Sequence, residues 1–265
     1  MNAEIELILE KINTKRIWDE EPVFCYTSDV DWASEDVMEE YFLQIDKFGI
    51  EPTLFVTHDS PIIDRYFQQK KIERGIHPNF LNGSSHGSTF EEIVQTCIKF
   101  APETKAFRSH RLFDVTDITH LLKEKYGFRY VSNLGTIMQP MIRPILHESG
   151  LIHFPIFFED GTHLWNRLDI DIKKYEHLFI SPGIKIISFH PMNFVFNSHS
   201  IKYMRGIKDS MSRDSFNNIG KEYIAKFRNK ASSGIANTVE MIINLTKKKS
   251  FKTMKLSDLY NESIR

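Results

Sequence analysis

Residues 23–32 read Val-Phe-Cys-Tyr-Thr-Ser-Asp-Val-Asp-Trp, an apolar run that stops abruptly at two aspartates, Asp29 and Asp31. Val23 to Tyr26 is short, rich in β-branched and aromatic residues and followed by turn-type residues, which suits a buried strand better than a helix. The two carboxylates then stand at the strand's C-terminal mouth. Two such groups are buried together only with a cation, a proton or an arginine to hold them, because isolated buried charge is costly. Without one they are a solvated turn capping the next helix, an ordinary use of aspartate.

Beyond this stretch the chain alternates strands and helices. Ser34 to Phe48 carries an apolar stripe at Val37, Tyr41, Ile45 and Phe48, with Ser34 as N-cap and Gly49 past its end. Thr53 to Thr57 reads as a second strand, Pro61 to Gln69 as a helix, and Arg74 to Ile76 as a third strand ending at His77. Ser88-Thr89-Phe90-Glu91 reads as a capping box that opens a helix stopped by Pro102. Ala106-Phe107 is a short strand before Arg108, Val115 to Tyr126 an amphipathic helix closed by Gly127, and Phe128 to Ser132 the next strand. Leu151 to Phe158 and Lys185 to Phe189 add two more strands. This alternation implies parallel strands joined by right-handed crossovers, an open α/β sheet or a barrel. The segments 133–149 and 193–220 read as long loops or insertions over one face, a length more often functional than decorative.

The 265 residues, 41% of them apolar, fill one sizeable core, and no repeat, low-complexity tract or linker divides residues 1–265 into more than one domain. A formal net charge of −1 gives no general attraction to nucleic acid or membranes, although Lys202 to Lys255 is locally basic. Cys25 and Cys97 fall at apolar positions and read as core thiols, which fits a reducing compartment. The N-terminal stretch is charged and helix-like without a long apolar run, so no signal peptide or membrane span is expected and the chain is read as cytoplasmic.

The reactive side chains gather at strand ends. Asp29 and Asp31 follow the first strand, His77 the third, Arg108 the next and His190 the last, while His86 immediately precedes a helix. In a parallel α/β barrel all these ends open on one face, so residues distant in sequence converge there. Gly-rich phosphate loops, Cys-x-x-Cys knuckles and Gly-x-Ser-x-Gly elbows are absent.

These same residues carry a resemblance. Tyr26-Thr27-Ser28-Asp29-Val30-Asp31-Trp32 resembles the Thr-Phe-Asp-Asp motif that opens the polysaccharide deacetylase (NodB-homology, carbohydrate esterase four) family. Glu73-Arg74-Gly75-Ile76-His77 followed by His86-Gly87-Ser88 is similar to its histidine motif, Phe107-Arg108-Ser109-His110 to its arginine motif, and Ile187-Ser188-Phe189-His190-Pro191 to its last. The tail Phe251 to Leu259 is similar to the family's closing segment, and the variant motifs point to the WbmS-like branch, associated with bacterial surface polysaccharide synthesis. The resemblance implies a distorted (β/α) barrel, one divalent metal ion, zinc above others, and hydrolysis of an N-acyl or O-acyl group on a sugar. It further implies Asp29 as general base, Arg108 as its orienter, His190 as general acid, and Asp31, His77 and His86 as metal ligands. An Asp/His/His set leaves coordination positions open for water and substrate, which such chemistry needs.

The pattern also departs from the family. Val30 separates two aspartates that are adjacent elsewhere, and His77 and His86 lie nine apart where the family has four. His86 is preferred as third ligand because its Gly-Ser context places it at a helix start facing the mouth, with His110 the alternative. Ser109-His110-Arg111 replaces a Pro-Pro-Tyr-like turn, so the metal or Arg111 is expected to take more of the oxyanion. Glu159, Asp160, His163 and Trp165 follow a strand and are candidates for the sugar subsite, or simply loop surface. The expected substrate is an N-acylated amino sugar, as an intracellular precursor of O-antigen or capsule linked to a carrier. The alternatives are a deacetylase-fold protein that binds a glycan without turning it over, and a hydrolase of a non-sugar amide. The basic residues Lys202, Arg205, Lys208 and Arg213 could meet a diphosphate near the mouth, or form a solvated face.

Overall fold

The computed structural model describes residues 3–265. In chain order the elements are α1 (Ala3–Ile12), β1 (Pro22–Asp29), α2 (Glu35–Phe48), β2 (Thr53–Val56), α3 (Pro61–Gln68), β3 (Glu73–Ile76), α4 (Phe90–Phe100), β4 (Ala106–Phe107) and α5 (Thr116–His120). They continue as β5 (Tyr130–Val131), β6 (Ile145–Leu146), β7 (Ile152–His153), β8 (Ile156–Glu159), α6 (Asp160–Trp165), α7 (Glu176–Phe179), β9 (Gly183–Ser188) and α8 (Pro191–Val195). The remainder is α9 (Ile201–Asp209), α10 (Arg213–Asn217), α11 (Lys221–Phe227), α12 (Ile235–Lys248), β10 (Lys252–Thr253) and α13 (Leu256–Ser263).

One curled sheet runs in the order β6-β7-β5-β4-β3-β2-β1-β9-β8, with β10 added to the start of β1. Every pairing is parallel except β6 with β7. β1 is buried along its whole length, as a strand covered on both faces must be to read as an unbroken apolar run. Its pairings with β9 (Thr27 opposite Ser188) and β2 (Asp29 opposite Phe55) bring the three C-terminal ends level. Residues that follow β1, β3, β4, β5 and β9 therefore share one face.

The stripe read from Ser34 to Phe48 buries Val37, Tyr41 and Ile45 in α2, capped by the Ser34 side chain, which accepts from Val37 N–H, and ended by Gly49 at φ 57°. The Tyr41 hydroxyl reaches Ser28 Oγ at 2.7 Å inside the core, which ties the helix to the strand carrying the first aspartate. The capping box of α4 is formed by Thr89 and Glu92, one residue beyond the expected pair, and Val115 to Tyr126 is a short α-helix continued by a π-helical turn over Leu121–Lys125.

Leu151 to Phe158 is not one strand. β7 pairs with β5 and β8 pairs with β9, at opposite ends of the sheet. Pro155 stands between them, unable to donate to a ladder, and the chain crosses there from one edge to the other. The crossing all but closes the barrel, and residues 134–138 fill the remaining gap against β8: Ile156 N–H donates to Leu134 O at 2.7 Å and Met138 N–H to Phe157 O at 2.8 Å. The segment 193–220, expected as loop, is largely helical and supplies part of α8, then α9 and α10. Its neighbour 133–149 is irregular apart from β6.

Candidate metal centre and catalytic pocket

Asp29 ends β1 with 5% exposure and has Arg108 Nη1 at 2.7 Å from its Oδ1. Arg108 is fully buried, and its guanidinium is fixed from every side. Nη1 also lies within hydrogen-bond reach of Thr27 Oγ1 and Ser188 Oγ, Nε donates to Ser132 O and Nη2 to Ser132 Oγ, while Phe55 packs its ring 4.3 Å beneath. A buried arginine so fully paired is a fixed cation at the strand ends. Burial alone would raise the Asp29 carboxyl, but Arg108, then His77 and His190, outweigh it and hold it below the usual range.

The extra residue between the aspartates is absorbed by the backbone. Val30 N–H still bonds to Phe55 O, so the strand pairing runs one residue further, and Asp31 (φ 48°) and Trp32 (φ 57°) then turn through the left-handed region. Two successive non-glycine residues there cost of order 1–3 kcal/mol each, a cost found at sites where a side chain must be aimed. The turn aims Asp31 at the mouth. Its Oδ1 lies 3.2 Å from His77 Nε2 and 2.9 Å from His110 Nδ1, and its Oδ2 lies 3.6 Å from His190 Nε2. Ligand atoms of Asp31, His77 and His110 all fall within 4.8 Å of one another. A carboxylate and two imidazoles, with no thiolate, suit a zinc-like divalent ion, so the residues present fit the expected metal.

His86 does not join this group, contrary to the preference drawn from its sequence context. Its Nε2 lies 2.8 Å from Thr57 O, which can only accept, and its Nδ1 takes the Asn79 backbone N–H at 3.1 Å and lies 3.3 Å from Cys97 Sγ. Both nitrogens are thus committed, burial lowers its pKa so that the ring stays neutral, and Trp32 stacks on it at 5.2 Å. His86 is a strut beneath the mouth, and His110 takes the place beside Asp31. The turn after His110 explains its reach: Arg111 (φ 58°) and Leu112 (φ 53°) are also left-handed, bending the chain back over the pocket.

On the opposite wall His190 follows β9. Asp160, fully buried at the start of α6, accepts from His190 N–H at 2.8 Å and lies 2.6 Å from its Nδ1. Burial alone would lower the His190 pKa, yet Asp160, with Asp31 and Asp29 beyond it, raises it well above the ordinary value. The cationic form of the ring is thereby favoured, and its Nε2 points at Asp31 of the candidate cluster. Asp160 was legible as a polar residue after a strand, but as a wall of the sugar subsite rather than the seat of His190.

Asp29, Asp31, His110, Arg111, Leu112, Ile156, Glu159 and His190 together enclose a pocket of about 120 Å³. Burial is the main force raising the Glu159 carboxyl, and its Oε2 caps α6 by accepting from Thr162 N–H. His163 is buried away from the pocket with Nε2 2.8 Å from Asp169 O, and Trp165, at the far end of α6, is 65% exposed and lines a separate groove. Cys25 and Cys97 are free and buried. Among the described residues no helix is long and apolar enough to cross a membrane.

A family model described as WbmS-like polysaccharide deacetylase matches residues 26–208. No curated protein matches the chain. Among solved structures, the chain is similar to a proposed polysaccharide deacetylase involved in O-antigen biosynthesis, WbmS from Bordetella bronchiseptica, with 25% identity, TM-score 0.72 and coverage of 84% of this chain and 89% of that one. It is similar also to the Bc1960 peptidoglycan N-acetylglucosamine deacetylase (11% identity, TM-score 0.47, coverage 90% and 92%). A further similar structure is the peptidoglycan deacetylase PdaC from Bacillus subtilis (12% identity, TM-score 0.45, coverage 92% of each).

Proposed function

The chain belongs to the WbmS-like polysaccharide deacetylase family, and from that premise we propose that it hydrolyses the N-acyl group of an amino sugar at one divalent metal ion, zinc, held by Asp31, His77 and His110. The observation that carries this reading is the convergence of that ligand set with an Arg108-bound Asp29 on one side and an Asp160-bound His190 on the other.

The metal, when bound, supplies Lewis acidity: it lowers the pKa of water and polarises the acyl carbonyl. The remaining work falls to side chains. Asp29, kept ionised and aimed by Arg108, is placed to take the proton of the attacking water. His190, kept protonated and oriented at Nδ1 by Asp160, is placed to deliver a proton from Nε2 to the departing nitrogen, so the base and acid titrate on opposite sides of neutrality. Arg111, at the lip of the pocket, is the added cation near the developing oxyanion. Glu159 closes the opposite side against the sugar.

The likeness to WbmS, a proposed deacetylase involved in O-antigen biosynthesis, supports a substrate that is a precursor of a surface polysaccharide. The test is metal analysis of the purified protein together with turnover of N-acetylated amino sugars. We expect about one zinc per chain and acetate release that stops when chelator removes it. A protein that binds no divalent ion, or one that releases acetate equally well after metal removal, would overturn the reading.

A further inference from the structure

The helices supplied by the segment 193–220 give the pocket a second, larger neighbour. α6 begins at Asp160, which holds His190, and ends at Trp165; at 1.5 Å per residue the five steps between them cover about 7.5 Å. Beyond Trp165 opens a groove of about 990 Å³ whose charged lining is three cations, Arg167, Lys202 and Arg205, against one carboxylate, Asp209. Trp165 is the most exposed large apolar side chain among the described residues, and the Arg205 guanidinium lies 5.6 Å above its ring. Among the described residues no carboxylate makes an ion pair with Arg167, Lys202 or Arg205. On a chain whose net charge is −1, three such cations around one exposed aromatic plane are a local excess. Arg213, from the same segment, stands 5.5 Å over Trp32, the residue directly after Asp31.

Resting on the proposed function, we propose that this groove binds the diphosphate of a carrier-linked amino sugar, so that the small catalytic pocket receives only the sugar ring. Guanidinium and ammonium groups free of acidic partners recognise phosphate oxygens, with the arginines able to do so in bidentate fashion. The exposed Trp165 face offers a plane for a nucleobase or an apolar wall for a prenyl chain. The catalytic pocket, about 120 Å³, is far smaller than the groove beside it, about 990 Å³.

The test uses the zinc-loaded protein and reads Trp fluorescence for binding and acetate release for turnover. UDP, geranyl diphosphate and inorganic diphosphate should each quench the fluorescence, with affinity falling as salt rises. Tighter binding of UDP than of the other two assigns the carrier as a nucleoside; tighter binding of geranyl diphosphate than of the other two assigns a lipid. Arg205→Gln combined with Lys202→Gln should weaken binding at least tenfold, while His77→Ala, which disturbs only the metal centre, should bind UDP as the wild type does. UDP-N-acetylglucosamine should be deacylated at least tenfold more efficiently than free N-acetylglucosamine. Absence of diphosphate binding, or unchanged binding in the double variant, overturns the groove assignment even where free acyl sugars are turned over and the proposed function stands. Preference for long neutral oligosaccharides overturns it as well.

Discussion

Arg108 Nη1 and Asp29 Oδ1 meet at 2.7 Å with the arginine fully buried and the carboxylate nearly so, across 79 positions of sequence. Each charge is the other's compensation, and Ser132, Ser188 and Thr27 satisfy what remains of the guanidinium. Removing one partner of such a pair leaves the other uncompensated. Arg108→Met is expected to lower stability by about 3–5 kcal/mol in urea denaturation. Asp29→Asn keeps a neutral hydrogen-bonding partner for Arg108, so it should fold, retain zinc and lose about 10²–10⁴-fold in turnover. Retained turnover in Asp29→Asn would remove Asp29 from the role of base.

His110 and His86 are separated by the same experiment on metal content. His110→Ala should lose zinc affinity by at least tenfold. His86→Ala should keep zinc, yet lose about 2–4 kcal/mol of stability, because Thr57 O and Asn79 N–H are left unpaired beside a new cavity. The opposite pattern would return His86 to the ligand set.

The difference between these two histidines shows what the sequence carries. Asp29, His77, Arg108 and His190 were legible because strand ends of a parallel sheet face one way, and periodicity locates strand ends. His86 does sit just before a helix, near the mouth, as its Gly-Ser context implied. Its side chain turns inward nonetheless, and only the three-dimensional supply of a carbonyl and an N–H decides that. His110 reaches Asp31 through a left-handed turn at Arg111 and Leu112, residues that seldom adopt it and so give no signal. The break of Leu151–Phe158 had a signal, Pro155, that the apolar run overrode. The helices of the segment 193–220 are short and pack onto α6, α2 and one another, so tertiary contact rather than propensity builds them.

His190 Nε2 faces the ligand cluster while Asp160 holds Nδ1. An acid is needed where the leaving group is an amine and is dispensable where it is an activated phenolate. His190→Ala should therefore reduce amide turnover by about 10²–10³-fold while costing an aryl acetate tenfold or less. Asp160→Asn should fall the same way with a smaller loss. Equal losses on both substrates would assign His190 to binding instead.

His153 makes the pH dependence of stability specific. It lies in β7 with 7% exposure, pairs opposite Val131 and Ile145, and leaves Nε2 without a hydrogen-bond partner, while the His147 ring stacks on it at 4.9 Å. Burial first, and His147 second, lower its pKa from 6.5 to about 4. The folded protein therefore refuses a proton that the unfolded chain accepts between about pH 6.5 and about 4, so stability falls as pH falls through that window and this group adds no further slope below it. The part due to His153 between pH 7.5 and pH 5 is about 2 kcal/mol. His153→Phe keeps an aromatic ring against His147 and cannot take the proton. Urea denaturation at the two pH values should show the loss on acidification shrinking by about that amount in the variant. An identical loss in both proteins would mean that His153 takes its proton in the fold as readily as in the unfolded chain, and that the acid sensitivity arises from other histidines that burial keeps neutral, such as His86.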